Sequence, residues 1–547
     1  EEERFTRRKH NKDSRSAANA AAYCLGHAGI RLDEVNEIAV AWNPHWPSSA
    51  DHITDIDLIR ELLDPAYFGG HTPARLTIIE HHLAHAASAF YLSGFPDAAV
   101  LAVDGSGDGV STSLYHGTET GLRLVQQFPF TQSLGWFYET VAEHLGLGDW
   151  TSSGKLMGLA AYGQPTYDLD FLRVGHDDGY LLDLSRYGLP PELDASGDYL
   201  NLAYYRRLKH AYASAFTDLG VPAHRRDRRY DRAAGRMVAD GAFTPAQANL
   251  ATSAQRALER CLVYLARSAL AETGNTRLCV AGGVGLNCSA NGVLHRSSGA
   301  SDLFVQPAAG DAGCAVGAAL ECLRRAGHLA IPGPPMVSAA LGPSFDDDTI
   351  RDTLDSYQLS HTYHGENIAA PVAQAIAAGS VVGWFQGPAE CGPRALGHRS
   401  ILAAPRTPAT RDHINREIKR REMWRPLAPS ILDTALKDFV DEPGPADFMI
   451  VAYPATDHAQ AAIPATVHVD GSLRPQAVND ITNPRFAQLL RAVGTETGTP
   501  VVLNTSFNTD TGPMVCTPTD ALRTYFSTPL DALAIGGFLL TKTTAQS

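Results

Sequence analysis

Two periods of apolar spacing alternate along the chain, and the switching between them outlines an α/β protein. Residues 12–30 carry Ala and larger apolar residues at helical spacing, which predicts a helix. Short apolar runs at 37–42 (EIAVAW) and 76–80 (LTIIE) predict buried strands. Residues 81–92 then turn Ala-rich with helical character. The run 98–104 (AAVLAVD) predicts a buried strand ending in a Gly turn, and 109–115 alternates, so the two predict a hairpin. A long amphipathic pattern covers 249–272, and 276–281 predicts one more buried strand that again ends in Gly. Short apolar strands alternating with helices imply α/β, a class that binds ligands at the turns after its strands.

The pattern breaks at Pro332-Gly333-Pro334-Pro335, followed by Gly342-Pro343 and the acidic 346–348. A domain boundary is expected there, with 1–345 as a first domain and 346–547 as a second α/β unit. The 547 residues are too many for one core, and 44 % hydrophobic with 19 % charged residues is an ordinary globular composition. No internal repeat or low-complexity tract is visible.

A net charge of −14 argues against nucleic acid as a general partner. The stretch 206–236 is locally basic around Arg225, Arg226, Arg228 and Arg229, and reads as a solvated insertion. The eight cysteines show no C-x-x-C spacing, and several sit in apolar runs, which predicts buried, reduced thiols. With no signal peptide, no apolar run of spanning length and no lipidation motif, a cytoplasmic chain without membrane contact is expected. The chain opens on Glu1-Glu2-Glu3-Arg4-Phe5 rather than Met, so a preceding segment is expected.

Candidate chemistry begins at His81-His82-Leu83-Ala84-His85. On a helix, His81 and His85 at i and i+4 share one face, about 5–6 Å apart at Cβ, and can chelate one cation. His82 points elsewhere. In Asp104-Gly105-Ser106-Gly107-Asp108-Gly109 a carboxylate ends a buried strand and glycines follow. A tight hairpin turn explains that motif alone, whereas a nearby His pair makes Asp104 a candidate ligand. The glycines of Gly282-Gly283-Val284-Gly285-Leu286-Asn287 follow a strand without a Lys, so no Walker loop is present. That turn can cradle a nucleotide or allow close packing, and spacing does not separate the two. Asp311 opens an Ala/Gly-rich helix, as a cap or as a further ligand.

The second domain carries a denser set. Gly392-Pro393-Arg394 through Ser400 is followed by Asn415, Lys419, Arg421, Glu422 and Trp424-Arg425-Pro426, then by Asp470 to Arg474 and Asn504 to Asn508. Rigid turns presenting guanidinium groups suit phosphate recognition. Surface salt bridges are the alternative, and Arg416, Arg420 and Arg421 fit that reading.

Together with residues 1–10, 154–163, 310–317 and 500–515, these motifs closely resemble an O-carbamoyltransferase family. It includes the nodulation-factor, cephamycin, tobramycin and ansamycin carbamoyltransferases. The resemblance spans nearly the whole chain in order. It implies an actin-like ATPase (Kae1-like) N-terminal domain and a YrdC-like C-terminal domain. It implies that carbamoyl phosphate and ATP form carbamoyl-adenylate and pyrophosphate in the second domain, and that the first passes the carbamoyl group to a hydroxyl of a small-molecule acceptor. By the same resemblance His81, His85, Asp104 and Asp311 hold Fe²⁺ or another divalent cation, with Asp104 as ligand or base. Gly283, Gly285 and Asn287 would line the adenylate. Arg394, Lys419, Arg425 and Arg474 would hold phosphates, accompanied by Mg²⁺ on ATP, with Asn504 and Ser506 as neutral donors. Lys155 is a weaker candidate. The sequence departs from the family at Cys391 and His398, where many members have Phe and Asn, and at Thr511-Gly512-Pro513, usually Gly-Glu-Pro.

An antibiotic acceptor, an aminoglycoside or a macrolide or ansamycin, is the expectation. Other readings are a tRNA threonylcarbamoyladenosine-type transferase, which the acidic charge disfavours, and a non-catalytic nucleotide- or sugar-sensing protein. A hydrogenase-maturation carbamoyltransferase would carry paired C-x-x-C modules that are absent from this sequence.

Overall fold

The buried run 98–104 becomes the centre of a five-stranded sheet. A computed structural model describes residues 1–11, 17–43, 62–63, 65–68, 75–176, 179–189, 202–224, 228–231, 236–239 and 243–542. Internal contacts divide the chain into two compact units: Glu37–Thr54 with Leu76–Pro335, and Glu1–Asn36 with Asp55–Arg75 and Met336–Ser547.

In the first of these, β1 (Ile38–Val40) pairs in parallel with β2 (Leu76–Ile78). Helix α1 (His81–Ser93) follows, then the meander β3 (Ala98–Gly107), β4 (Val110–Thr118) and β5 (Gly121–Pro129). Helices α2 (Leu134–His144) and α3 (Pro245–Thr273) pack on β3. Next come β6 (Arg277–Ala281), α4 (Cys288–Ser297), β7 (Asp302–Val305) and α5 (Asp311–Arg325). The sheet order is β7-β6-β3-β4-β5, with β7, β6 and β3 parallel and the meander antiparallel.

The positions of the glycines explain why these elements meet closely. A Cβ on Gly282, at φ 88°, would lie 2.1 Å from the Val103 carbonyl oxygen, so the turn after β6 closes on β3 only with glycine there. A Cβ on Gly317 would lie 1.8 Å from the Ala84 oxygen, so α5 rests backbone-to-backbone on α1. Helix α1 is buried nearly all round, as its even spread of Ala requires.

The other unit is built on an eight-stranded mixed sheet, in the order β8-β15-β14-β9-β10-β13-β11-β12. Its strands are β8 (Thr362–Tyr363), β9 (Val382–Phe385), β10 (Arg399–Ala403), β11 (Ala428–Leu432), β12 (Gln476–Val478), β13 (Val501–Ser506), β14 (Ala532–Ile535) and β15 (Phe538–Thr541). Successive residues feed opposite faces. Phe385, Ile401, Leu503 and Leu533 enter one core, and Trp384, Leu402, Val502 and Ala534 enter the other. Helices α6 (Ala369–Ala377) and α7 (Pro484–Thr497) cover the second core.

One expectation is corrected. The sequence pattern groups residues 1–36 with the first half, whereas the described ones, 1–11 and 17–36, belong to the C-terminal unit. The Arg4 guanidinium donates to the Gly392 carbonyl (2.7 Å) and the Gly392 N–H to the Glu1 carboxylate (3.1 Å). Arg7 pairs with Asp520 and donates to the Met514 carbonyl. Residues 339–343 also belong there rather than before a boundary at 345, because Gly342 N–H donates to the Ala389 carbonyl and Arg399 to the Pro343 carbonyl.

Of the basic stretch, Arg225 and Arg226 lie outside the described residues, as do 12–16 of the expected first helix, whose remainder is helical over Ala18–Ala28. All eight cysteines are free thiols, six of them buried. Among the described residues no helix is long and apolar enough to cross a membrane.

Candidate metal centre and anion-binding cluster

His81 and His85 occupy the first two turns of α1, and their Nε2 atoms come within 3.0 Å of each other. Asp104, just past Val103 where the regular pairing of β3 with β4 is interrupted, places Oδ2 3.4 Å from His81 Nε2 and 3.7 Å from His85 Nε2. Asp311, the first residue of α5, places Oδ1 3.7 Å from both imidazoles. These four ligand atoms lie within 4.8 Å of one another. Ligand atoms about 2.1 Å from a cation stand about 3.0 Å apart at a right angle and about 3.4 Å apart at the tetrahedral angle. The observed 3.0–3.7 Å separations lie at or slightly beyond these values, so the four groups can close on one divalent cation with shifts of a few tenths of an ångström. The Asp311 side chain is 79 % exposed, so the cluster opens to solvent on that side.

The supports of these groups are as specific. Asp104 Oδ1 accepts the Gly283 N–H (2.8 Å), which fixes the carboxylate. His81 Nδ1 lies 3.0 Å from the Ala41 carbonyl oxygen. The tautomer that donates there turns the Nε2 lone pair into the cluster. Burial opposes charge on His81 most strongly, but the hydrogen bond and charge of Asp104, with Asp311 and the Ala41 carbonyl, together outweigh it and push the imidazole up to about 9. Burial likewise opposes ionisation of Asp104, yet the two histidines hold it well below the usual carboxylate range. Asp311, exposed at its tip but surrounded at close range by the packed cluster, is raised by that partial desolvation and then by the Asp104 charge. His82 turns away, with Nε2 3.0 Å from the Val110 carbonyl, and burial drives it down to about 3.

The glycine turn after β6 divides by role. Gly283 supports Asp104, whereas a Cβ on Gly285 would press on Ala309 at 3.1 Å, so that glycine serves packing. Asn287, expected to line a nucleotide, makes two hydrogen bonds within the protein. Its Oδ1 accepts the Ala290 N–H (3.0 Å), capping α4, and its Nδ2 donates to Gln255 (2.9 Å). Lys155 donates to the Leu147 carbonyl.

In the C-terminal unit a second constellation forms. Lys419 is 2 % exposed, and its Nζ donates to the carbonyls of Ser506 (2.7 Å) and Asn508 (2.9 Å) and to Ser506 Oγ (3.1 Å). Arg425 donates to Asp510 Oδ1 (3.3 Å), and Arg474 to the Met449 carbonyl (2.7 Å). Burial, then the charges of Arg421, Arg425 and Lys9, holds Lys419 well below the ordinary lysine range, against Asp510. Arg421 is lowered by burial, then by Arg425, with Arg474 adding to it and Asp510 and Glu422 opposing. Five cations thus act on one another with Asp510 and Glu422 as the main countercharges, an arrangement that an anion would relieve. Arg421, expected among surface salt bridges, instead donates to Asn415 Oδ1 (2.8 Å).

Arg394 sits in a turn organised by Glu390, whose Oε1 accepts the N–H groups of Leu396, His398 and Arg399 at 2.7–3.1 Å. Asn504 joins this turn through the Ala395 carbonyl (3.2 Å), and its buried Oδ1 meets no donor among the described residues. The departing residue His398 is buried and lowered by burial. Its Nδ1 lies 3.2 Å from the Gln386 oxygen and its Nε2 3.1 Å from Asn483 Nδ2.

Sequence reasoning missed Lys9, whose Nζ donates to the Asp510 carbonyl (2.6 Å), because it lies some 500 residues from the cluster it joins. It also gave Asp108 no role, although Asp108 accepts the His81 N–H.

Comparison with known proteins relates both halves of the chain to one family. The family model described as carbamoyltransferase N-terminus matches residues 71–320, and the one described as carbamoyltransferase C-terminus matches 373–542. Nodulation protein NolNO of Sinorhizobium fredii is 35 % identical over 566 residues, spanning 100 % of this chain and 77 % of the relative. Nodulation protein NolO of Bradyrhizobium diazoefficiens is 36 % identical, spanning 86 % and 80 %. The 3'-hydroxymethylcephem-O-carbamoyltransferase of Amycolatopsis lactamdurans is 37 % identical, spanning 42 % of each chain.

Proposed function

The chain belongs to the carbamoyltransferase family, and we propose that it is an ATP-dependent O-carbamoyltransferase acting on a hydroxyl of a natural product. The observation that carries this reading is the convergence of His81, His85, Asp104 and Asp311 on one point where α1 and α5 both begin. Helix N-termini favour anionic groups, so an acyl phosphate can approach a cation held there.

In this scheme the C-terminal unit, read as YrdC-like, makes the activated group. Water cleaves carbamoyl phosphate to carbamate and inorganic phosphate, the carbamate oxygen attacks the α-phosphorus of ATP to form carbamoyl-adenylate, and pyrophosphate leaves. Lys419, Arg425 and Arg474, with Lys9 beside them, neutralise phosphate oxygens, and Mg²⁺ can accompany ATP. The unit with the histidines, read as actin-like (Kae1-like), then carries out transfer. Its mixed sheet, a meander followed by parallel strands, supports that assignment. The acceptor oxygen attacks the carbamoyl carbon, AMP departs, and the alcohol proton passes to a base.

Fe²⁺ or a similar cation held by the four residues would polarise the carbamoyl carbonyl, a poor electrophile because nitrogen donates into it. Asp104 has Oδ1 bonded to Gly283 and Oδ2 facing both imidazoles, which supports a ligand rather than a base. The O-carbamoyltransferase name of one relative supports an oxygen acceptor, and an antibiotic is the acceptor class favoured.

The test is pyrophosphate release by purified protein, expected only when carbamoyl phosphate and ATP are both present. Release with ATP alone, or none with both, contradicts the scheme. Mass spectrometry of candidate alcohols for a carbamoyl increment then identifies the acceptor. A tRNA-dependent activity would favour the threonylcarbamoyl reading, against which the net charge of −14 speaks.

A further inference from the structure

We propose that Asp108 is a positioning residue for the metal centre, bracing His81 through both of that ligand's supports. The inference rests on reading the His81/His85/Asp104/Asp311 cluster as a cation site.

Asp108 and Gly109 form the two-residue loop between β3 and β4, flanked by the pair Gly107 and Val110. Both have positive φ, 51° and 80°, the type I′ geometry that Asp-Gly favours. That accounts for the residue's place in the turn but not for where its carboxylate goes. Oδ2 accepts the His81 N–H and Oδ1 accepts the Asn43 N–H, each at 2.9 Å.

The first contact stands in for a missing cap. The residue before α1, Glu80, makes no side-chain capping bond, so a carboxylate 27 residues away satisfies the first N–H of the helix. The second contact fixes the segment just after β1. That segment also holds the ring, since the Ala41 carbonyl oxygen lies 3.0 Å from His81 Nδ1. One carboxylate therefore ties together the backbone that carries His81 and the strand end that sets its ring orientation. The turn closes on the ring as well: a Cβ on Gly107 would lie 2.0 Å from His81 Cδ2. Within one turn the two acidic residues have separate tasks, Asp104 facing the cation and Asp108 holding a ligand in place.

Two substitutions separate this role from turn formation. Asn-Gly and Gly-Gly also suit a type I′ loop, so Asp108→Asn and Asp108→Gly both preserve the hairpin. Asn removes the charge and can accept only one of the two N–H groups through its oxygen; Gly removes both acceptors. Residues that orient metal ligands typically contribute ~10–100-fold to metal affinity. Binding of Co²⁺, followed by chelator competition and by its ligand-field spectrum, is expected to weaken by ~10–100-fold in D108N. D108G is expected to weaken it further, with an altered spectrum in both, while near-UV circular dichroism of the metal-free proteins matches wild type.

If wild type binds Co²⁺ and both variants match it in affinity and spectrum, Asp108 has no positioning role. A loss accompanied by a collapsed near-UV signal in both variants refutes it as well. If wild type itself binds neither Co²⁺ nor Fe²⁺, the cation reading of the centre falls instead.

Discussion

Gly317→Ala tests whether helix packing sets the geometry of the centre. Gly317 lies six residues into α5, where a Cβ would stand 1.8 Å from the Ala84 oxygen and 2.8 Å from the Ser88 nitrogen of α1. Neither contact can yield by rotating a side chain, because both partners are backbone. A carbon needs about 3.2 Å from a carbonyl oxygen, so α5 must retreat by about 1.4 Å at this point. Asp311 begins the same helix, and its Oδ1 is already 3.7 Å from both imidazoles. A matching shift takes it to roughly 5 Å, well outside the ~3.0–3.4 Å between ligands that share a cation. The substitution should therefore lower metal affinity at least ~10-fold, while overpacking costs about 1–3 kcal/mol of stability. Chelator competition measures the first and urea unfolding the second. Unchanged metal affinity in a G317A protein that is destabilised as expected would refute the claim that α5 delivers a ligand. Unchanged stability would refute the close approach itself.

Glu139, on α2, gives a test by pH. Burial raises it from 4.5 to about 7, with Tyr205 opposing and Glu143 adding. A carboxyl raised in the folded state loses stability as pH climbs from its unfolded value towards 7, and the penalty is constant above that. Its ceiling is about 3 kcal/mol. Glu139→Gln is therefore expected to stabilise the protein at pH 8 and to be nearly neutral at pH 4.5 in denaturant titrations. Equal effects at both pH values would show that Glu139 is not perturbed. Lys419→Gln removes a buried cation from the C-terminal cluster. It should cut pyrophosphate release by about 100-fold or more, and leave Co²⁺ binding at wild-type affinity. Loss of Co²⁺ binding in folded protein would contradict the separation of the two sites.

The parts of this arrangement that could be read from sequence are those with local causes. The spacing of His81 and His85 defines a helix face by itself, and the run ending at Asp104 announces its own strand. For Asp311 the local pattern leaves cap and ligand open, because its approach to α1 depends on Gly317 and on tertiary packing. The capping bond of Asn287 to Ala290 is not visible in sequence either, because an Asn that caps a helix and an Asn that meets a ligand look alike until the donor is located. A run of arginines likewise does not show which one turns inward, and Arg421 does so onto Asn415. Sequence proximity groups the N-terminal residues with the segment that follows them, whereas Arg4 and Arg7 find their partners at Gly392 and Asp520, hundreds of residues away.

The central claim is that carbamoyl activation and carbamoyl transfer are done by different units, with His81 and His85 serving only the second. Its most direct test is His85→Ala, assayed for both half-reactions in one preparation. Pyrophosphate release from ATP and carbamoyl phosphate should persist near the wild-type rate, while metal binding and carbamoylation of the acceptor are lost. If the folded variant loses pyrophosphate release together with transfer, the division of labour is wrong.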